Sequence, residues 1–502
     1  MPRTEVALRR FWRRTGERGL WARGLSVVVV TLLSAGAVLG LFALASSDET
    51  QAGASGASGT PSAVEASTDG VTKDSVTIVF PVIDLSAAGQ AVGLDSSSDE
   101  KDPLGIKTYV KEINDAGGIN GRTIDARIEK FNPLDPADMR AKCKDWTTSG
   151  EVFAVVDTGK WYDDNQLCIT EEGQLPLISS WTTVTDWTQR GEPYLWWTGP
   201  DQADVVLNLV PWGIEQGLLS PDKKFAVLAG DRAGDKLAVN DYLLPALRAR
   251  GLKPALIDTI TASIDDPSTA QSQARSAITK LKSEGVETVI PLLPVNAFRS
   301  YLSAAKAQQY TPKLMLSDYE GTVNTALGLA EYQFPDLLSG QRGATVFTLS
   351  SEDDDRPDGS ITLAGPGYTP EATACWESYQ LENPKRIKKF PYIEAQGPTM
   401  RWCDAIRLTA KAIEAAGKDL NRRTFIQALG VIGDFPSALT KEFSFSRTDH
   451  AGPTQYRTVA PTKNGNTAET NVCPPRRPTP TDDNPFHGSC WLLVEDWKPL
   501  AG

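Results

Sequence analysis

The sequence predicts an α/β protein of two doubly wound parallel-sheet lobes standing behind an N-terminal transmembrane helix. Three observations lead there. Short apolar strands alternate with amphipathic helices from Val76 onward, in two successive runs. Capping and turn residues punctuate that alternation where helices must start and stop. A 21-residue uncharged apolar segment, residues 25–45, precedes both runs.

In the first run, residues 76–80 form a strand. Asp102 and Pro103 then open a helix as N-cap and first helical residue. Ile106, Tyr109, Val110 and Ile113 recur at i, i+3, i+4 and i+7, one apolar face. Gly117 and Gly118 end the helix, one of them supplying the left-handed turn. Ile124, Ala126 and Ile128 alternate as strand residues do. Asp135 and Pro136 repeat the helix-start signal, and residues 152–156 and 177–178 form buried strands. In the second run, strands at 225–229, 255–260, 288–292 and 314–316 enclose helices at 235–250, 269–284 and 296–308. Single helices between strands imply parallel sheets covered on both faces. Ligands of such sheets sit beyond the C-terminal strand ends.

Charge divides the chain sharply. Residues 1–24 hold seven arginines against Glu5 and Glu17, a local +5, whereas the whole chain carries −12 and the remainder therefore −17. Such a body repels phosphate and anionic lipid, so no nucleic-acid partner is expected. Residues 25–45 are long enough to cross a bilayer core of about 30 Å. The arginines place the first 24 residues in the cytoplasm and the body outside, at the cell membrane as a single-pass protein. Ala43 and Ala45 before Ser46 form an A-x-A-like pattern, so cleavage and secretion are the alternative. The apolar run exceeds the usual secretory core of about 7–15 residues, which favours retention. Residues 46–73 are small and polar, a flexible linker. Six cysteines in an exported chain point to disulfides. Their spacing points to Cys143 with Cys168, Cys375 with Cys403, and Cys473 with Cys490, although sequence leaves the other pairings open. Two histidines and no C-x-x-C leave zinc little to bind, and no metal or cofactor is expected.

The segment Asn114-Asp115-Ala116-Gly117-Gly118-Ile119-Asn120-Gly121-Arg122 resembles the N-x-x-G-G-I-x-G stretch of branched-chain amino-acid (Leu/Ile/Val) binding proteins of ABC transporters. Residues 403–429 are similar to that family's penultimate helices, and read by themselves they place Ile406, Leu408, Thr409, Ala410, Ile413 and Ala416 on one face before Gly417. The likeness spans residues 74–460 and implies the type I periplasmic-binding fold, with lobes joined by three crossing strands and closing on a small molecule. It places the crossings at residues 197–201, 317–324 and 443–452. The first lobe is then residues 74–198 and 322–443, and the second 199–321 and 444–502. The implied function is extracytoplasmic binding of an amino acid, amide or similar solute and its delivery to an ABC permease.

The same resemblance nominates ligand contacts. The stretch Leu177 to Thr183 matches the family's first-lobe hydroxyl segment, which proposes Ser179, Ser180, Thr182 and Thr183 for a carboxylate. The stretch Ser317 to Gly321 matches its second crossing, which proposes Glu320 for an ammonium, with Asp318 as competitor. Where the family has an aromatic, this chain has Asp231 and Arg232, and Trp161 and Trp181 are nominated to stack a ring on a ligand. Those departures make a branched-chain amino acid doubtful and admit an amide, a urea-like or an aromatic solute. Each hydroxyl has a plain alternative in satisfying its own loop, and each tryptophan in packing a wall. The acidic runs at residues 96–102 and 351–358 lack the glycine and spacing of a calcium loop.

No enzyme is expected. The chain has no G-x-S-x-G elbow, no strand-to-helix G-x-G-x-x-G and no phosphate-binding G-x-x-x-x-G-K-[ST]. His450, at the expected third crossing, reads as a hinge hydrogen-bonder. A ligand-sensing ectodomain without transport is the remaining rival, and 24 cytoplasmic residues are too few for an output domain of its own. Mass analysis of protein from washed membranes is expected to find the arginine-rich end still attached; a soluble species beginning at Ser46 refutes retention.

Overall fold

Five strands make the first sheet: β1 (Ser75–Ile83), β2 (Thr123–Phe131), β3 (Ala154–Asp157), β4 (Leu177–Ser179) and β5 (Leu195–Trp197). All pair in parallel, in the order β2-β1-β3-β4-β5. The computed structural model describes residues 64–84, 101–132, 135–158, 161, 165–180, 185–262, 267–323, 334–338, 340–347, 353–355, 361–363, 369–389, 398–462 and 490–500. The expected membrane segment at 25–45 lies outside these residues, as do Trp181, Thr182, Thr183 and Cys473. Among the described residues no helix is long and apolar enough to cross a membrane.

The second sheet repeats the pattern. β6 (Phe225–Ala229), β7 (Leu256–Thr259), β8 (Thr288–Leu292), β9 (Lys313–Ser317) and β10 (Arg342–Thr345) run parallel in the order β7-β6-β8-β9-β10. Two short antiparallel pairs follow, β11 (Asp353–Asp355) with β12 (Ile361–Leu363) and β13 (Gly433–Asp434) with β14 (Ser444–Phe445). β15 (Gln455–Thr462) and β16 (Cys490–Pro499) then widen the second sheet antiparallel from β10. In both sheets the first strand lies between the second and the third, so the order reverses at β1/β3 and at β6/β8. Those reversals open crevices at the C-terminal strand ends.

Helices α1 (Lys101–Asp115) and α2 (Pro136–Thr148) belong to the first sheet's crossovers; α3 (Gln202–Glu215), α4 (Pro267–Glu284) and α5 (Val295–Ala307) follow in the second half. Asp135 caps α2, its carboxylate accepting from the amides of Ala137 and Asp138. Asp102 departs from expectation. The helix already includes Lys101, and the Asp102 carboxylate accepts instead from the Trp402 indole at 2.9 Å. Trp402 lies on α7 (Pro398–Ala416), which packs on α1, β3 and β4, while α6 (Pro370–Glu382) packs on both α1 and α7. Disulfides Cys143–Cys168 and Cys375–Cys403 fasten α2 to the turn before β4 and α6 to α7.

One expected boundary moves. Residues 322–443 were assigned to the first lobe with a crossing at 317–324, yet β10 pairs with β9 inside the second sheet. Phe334, Leu337 and Leu338 belong to the core beside Ala226, Leu228 and Leu316. The chain therefore stays with the second sheet through Thr345 and leaves at Val346 and Phe347, where Phe347 bridges Thr440. The expectation stopped one strand early because β10, with Arg342, Gly343 and Ala344, has little apolar content to announce it. The first and third crossings lie side by side: the Trp197 amide donates to the His450 carbonyl at 2.8 Å, and Trp197 bridges Ala451.

The Asn114 to Arg122 segment is a structural clamp. The Asn114 side chain donates to the Ile124 carbonyl at 3.0 Å and accepts from the Ile124 amide at 2.8 Å, copying a strand partner. Asn120 donates to the carbonyls of Ile413 and Glu414 at the end of α7, and Arg122 donates to those of Thr72 and Lys418. Gly118 has φ +72°, and a Cβ there would lie 2.1 Å from the Arg122 carbonyl oxygen. Gly117 has φ +102° with open space around it. Gly118→Ala is accordingly expected to cost roughly 2–4 kcal/mol in denaturant unfolding, against about 1 kcal/mol for Gly117→Ala. Equal costs would refute the close-approach account.

Candidate functional site

Register sets the first half of the site. Asp157, Ser179 and Trp197 stand in one row across β3, β4 and β5. One residue further on, Thr158, Ser180 and Thr198 follow in the three adjacent chains. All three are buried, and their hydroxyl oxygens have no hydrogen-bond partner. Adjacent strands lie about 4.8 Å apart, so this is a row of three unmet hydroxyls at the strand ends. The carboxylate of Asp157 sits beneath, accepting from the Ser179 hydroxyl at 3.1 Å and the Trp161 amide at 3.3 Å. The Gln166 amide nitrogen donates to Ser179 at 3.5 Å, while its buried oxygen has no partner.

The second half lies at the ends of β6 and β9. Asp318 accepts from the Thr345 hydroxyl at 2.8 Å and the Val346 amide at 2.7 Å, which fixes the residues where the chain leaves the second sheet. Glu320 follows in a left-handed conformation, φ 49°, rare for a side-chain-bearing residue. That turn delivers its carboxylate to Arg232, just beyond β6, at 2.7 Å. Arg232 also grips Asp235 through Nε and Nη2, each at 3.0 Å, and the Tyr319 hydroxyl donates to Asp235 at 2.8 Å.

Arg401, on the first turn of α7, joins the halves. It is within electrostatic reach of Asp318 from the second sheet and of Asp102 and Asp157 from the first. Its plane lies 5.6 Å from the Phe347 ring, and its buried Nε has no hydrogen-bond partner. Burial lowers its pKa, with the three carboxylates opposing. Among the described residues no cluster of histidine, cysteine or carboxylate is arranged to hold a metal ion.

Residues 89–466, more than half of the chain, match the family described as periplasmic binding protein. The chain belongs to that family. No curated protein sequence matches it. The fold is similar to a fatty acid ABC transporter substrate-binding protein from Thermomonospora curvata, with TM-score 0.59 and 18% identity over 80% of this chain and 92% of that one. It is similar also to an ABC transporter solute-binding protein from R. palustris in complex with 4-hydroxybenzoate, with TM-score 0.57 and 14% identity over 85% and 98%. A third likeness is the substrate-binding protein from Desulfitobacterium hafniense in complex with Leu, with TM-score 0.52 and 16% identity over 77% and 97%.

In this periplasmic binding protein the nominated residues divide. Ser180 stands in the open hydroxyl row. Ser179 is engaged by Asp157 and Gln166 beneath it. Trp161 is no stacking platform: it is wholly buried, its ring lies 4.8 Å from Trp146 and 5.0 Å from Phe131, and its indole donates to the Asn165 carbonyl. Asp318 braces the second crossing. Glu320 lies past the end of β9 inside the second sheet's half, not on a crossing, and Arg232 already meets it. Thr158, Thr198, Gln166, Arg232 and Arg401 went unnominated. Thr158 and Thr198 carried a signal, since each directly follows a buried apolar strand as Ser180 does.

Burial pushes the Asp318 carboxyl up to about 7, although its hydrogen bonds and the nearby Arg401 and Arg457 favour the charged form. The folded state therefore holds a proton that the unfolded chain has released above about pH 4, and stability falls as pH rises from there to about 7. Asp404, also raised, contributes a similar fall up to about 6. The difference in unfolding free energy between the parent and Asp318→Asn isolates Asp318. It is expected to shrink steadily across that window in urea titrations, and a pH-independent difference refutes the assignment.

Proposed function

We propose that this chain is an extracytoplasmic receptor that closes two lobes on a small organic solute and hands it to an ABC importer. The observation that carries the reading is the row Thr158, Ser180 and Thr198. Buried hydroxyls are ordinarily hydrogen-bonded, so three unmet ones side by side mark a place built for something the described residues do not supply. Their position at strand ends, beside an arginine that reaches carboxylates of both sheets, supports a ligand held between the lobes. The three crossings at Trp197, Phe347 and Ala451 are where a hinge would bend. Named ligands of the similar structures, a fatty acid, 4-hydroxybenzoate and leucine, are all small organic solutes.

Residues 25–45 are proposed to hold the receptor at the outer face of a membrane, next to its permease. Catalysis has little support. His450 Nδ1 donates to the Leu195 carbonyl at 2.9 Å and its ring stacks on Trp196 with centroids 3.6 Å apart, a structural use of the imidazole.

A solute identified by thermal-shift screening is expected to bind Ser180→Ala more weakly by about 2- to 12-fold, the worth of one neutral hydrogen bond. The unliganded variant should melt no lower than the parent, because the hydroxyl has no partner to lose. An unliganded melting temperature several degrees lower, with affinity unchanged, would assign Ser180 to the fold and count against the site.

A further inference from the structure

The polar groups at the strand ends fall into met and unmet sets, and the division is chemical. Among the described residues, each of the four buried carboxylates there is met. Asp157 accepts from Ser179 and Trp161, Asp318 from Thr345 and Val346, and Asp235 from Arg232 and Tyr319. Glu320 is paired with Arg232 and lies 3.5 Å from the Gln202 amide nitrogen. The unmet groups among the described residues are mostly able to donate: the hydroxyls of Thr158, Ser180 and Thr198, the Trp197 indole N–H and the Nε–H of Arg401. Among the described residues there, the Gln166 oxygen is the one unmet acceptor that cannot donate.

The hydroxyls can donate or accept, but the Arg401 Nε–H and the Trp197 indole can only donate. A ligand completing this set must therefore bring acceptor atoms, and no described carboxylate there is left over to pair with a charged amine. An ammonium brought to Glu320 would have to displace the Arg232 guanidinium, which is held by a second carboxylate through two atoms. It would also enter beside a fixed positive charge in a poorly solvated place, where repulsion between like charges is large. We infer that Arg232 fills the position an amine would need at Glu320, so that the site selects an organic acid or similar oxygen-rich solute without an amino group. Arg232 is then a specificity-determining residue, acting by exclusion. The carboxylate of such an acid falls to the hydroxyl row and Arg401, where hydrogen bonds to a charged acceptor are stronger than between neutral groups. The strained backbone at Glu320 fits this role, since it aims the carboxylate at Arg232.

This inference rests on the solute-binding reading above, and matched ligand pairs separate the two. Full-length protein is titrated by calorimetry with 4-methylpentanoate against L-leucine and with 3-phenylpropanoate against L-phenylalanine, the members of each pair differing only in the α-ammonium. The acid is expected to bind at least about tenfold more tightly than its amino partner, a margin of about 1.4 kcal/mol. Arg232→Met should narrow the gap by admitting the amine. Because it strips Glu320 of its cationic partner and so threatens the fold, Arg232→Met/Glu320→Gln is the companion variant, which should continue to reject the amine for want of a carboxylate. An amino acid that binds as well as its deaminated partner, or a folded Arg232→Met that discriminates as the parent does, overturns the inference and leaves solute binding intact. A protein that no solute of any class stabilises overturns both.

Discussion

Carboxyl groups stripped of water near the inner ends of the strands must each find hydrogen-bond partners, because a buried polar group left unmet costs about 1–3 kcal/mol. Much of this structure follows from how that demand is met. Asp318 takes its donors from Thr345 and Val346 and so fixes where the chain leaves the second sheet. Asp157 takes its donors from Ser179 and the Trp161 backbone, which settles the floor beneath the hydroxyl row. Glu320 and Asp235 share Arg232. Asp404 accepts from the Ser437 hydroxyl and the amides of Ala438 and Leu439, tying α7 to the chain that runs on toward the third crossing. What these carboxylates leave unmet is what a ligand can address.

The crossings gain their rigidity locally. Trp197 is hydrogen-bonded to the third crossing on both sides, through the His450 carbonyl and the Gly452 amide. A Cβ at Gly452 would lie 2.0 Å from the Phe443 ring, so any larger residue at the third crossing must displace that buried ring. Arg401 has electrostatic partners in both sheets and no hydrogen bond to its Nε, which ties the charged groups of the two sheets together through one side chain.

The periodicity of the sequence determined the α/β alternation, because burial on two faces leaves apolar strands and one-faced helices that are visible without partners. Two of the three expected disulfides were legible from spacing in an exported chain, and both lie in elements whose packing brings the sulfurs together. The Asn114 to Arg122 segment announced the family, yet its residues clamp α1, β2 and α7 and touch no ligand site. Motifs of this kind are readable because backbone geometry, φ +72° at Gly118 for example, admits few residues. Strand β10 and the β15–β16 extension were not legible, since short or mixed-polarity strands acquire their identity from the neighbour they pair with.

Sequence alone could nominate acids and hydroxyls near strand ends, and it did so for Ser180, Asp318 and Glu320. It could not say which of them were already engaged. That Glu320 faces Arg232, 88 positions away in the chain, depends on β6 and β9 ending at the same edge of one sheet, on either side of β8. That Thr158, Ser180 and Thr198 form one row depends on the register of three strands. Composition and spacing decide which elements form, because those follow from local conformational preference and burial. Partnership between charges is decided only by tertiary structure, because it turns on distances between groups that the chain order does not record.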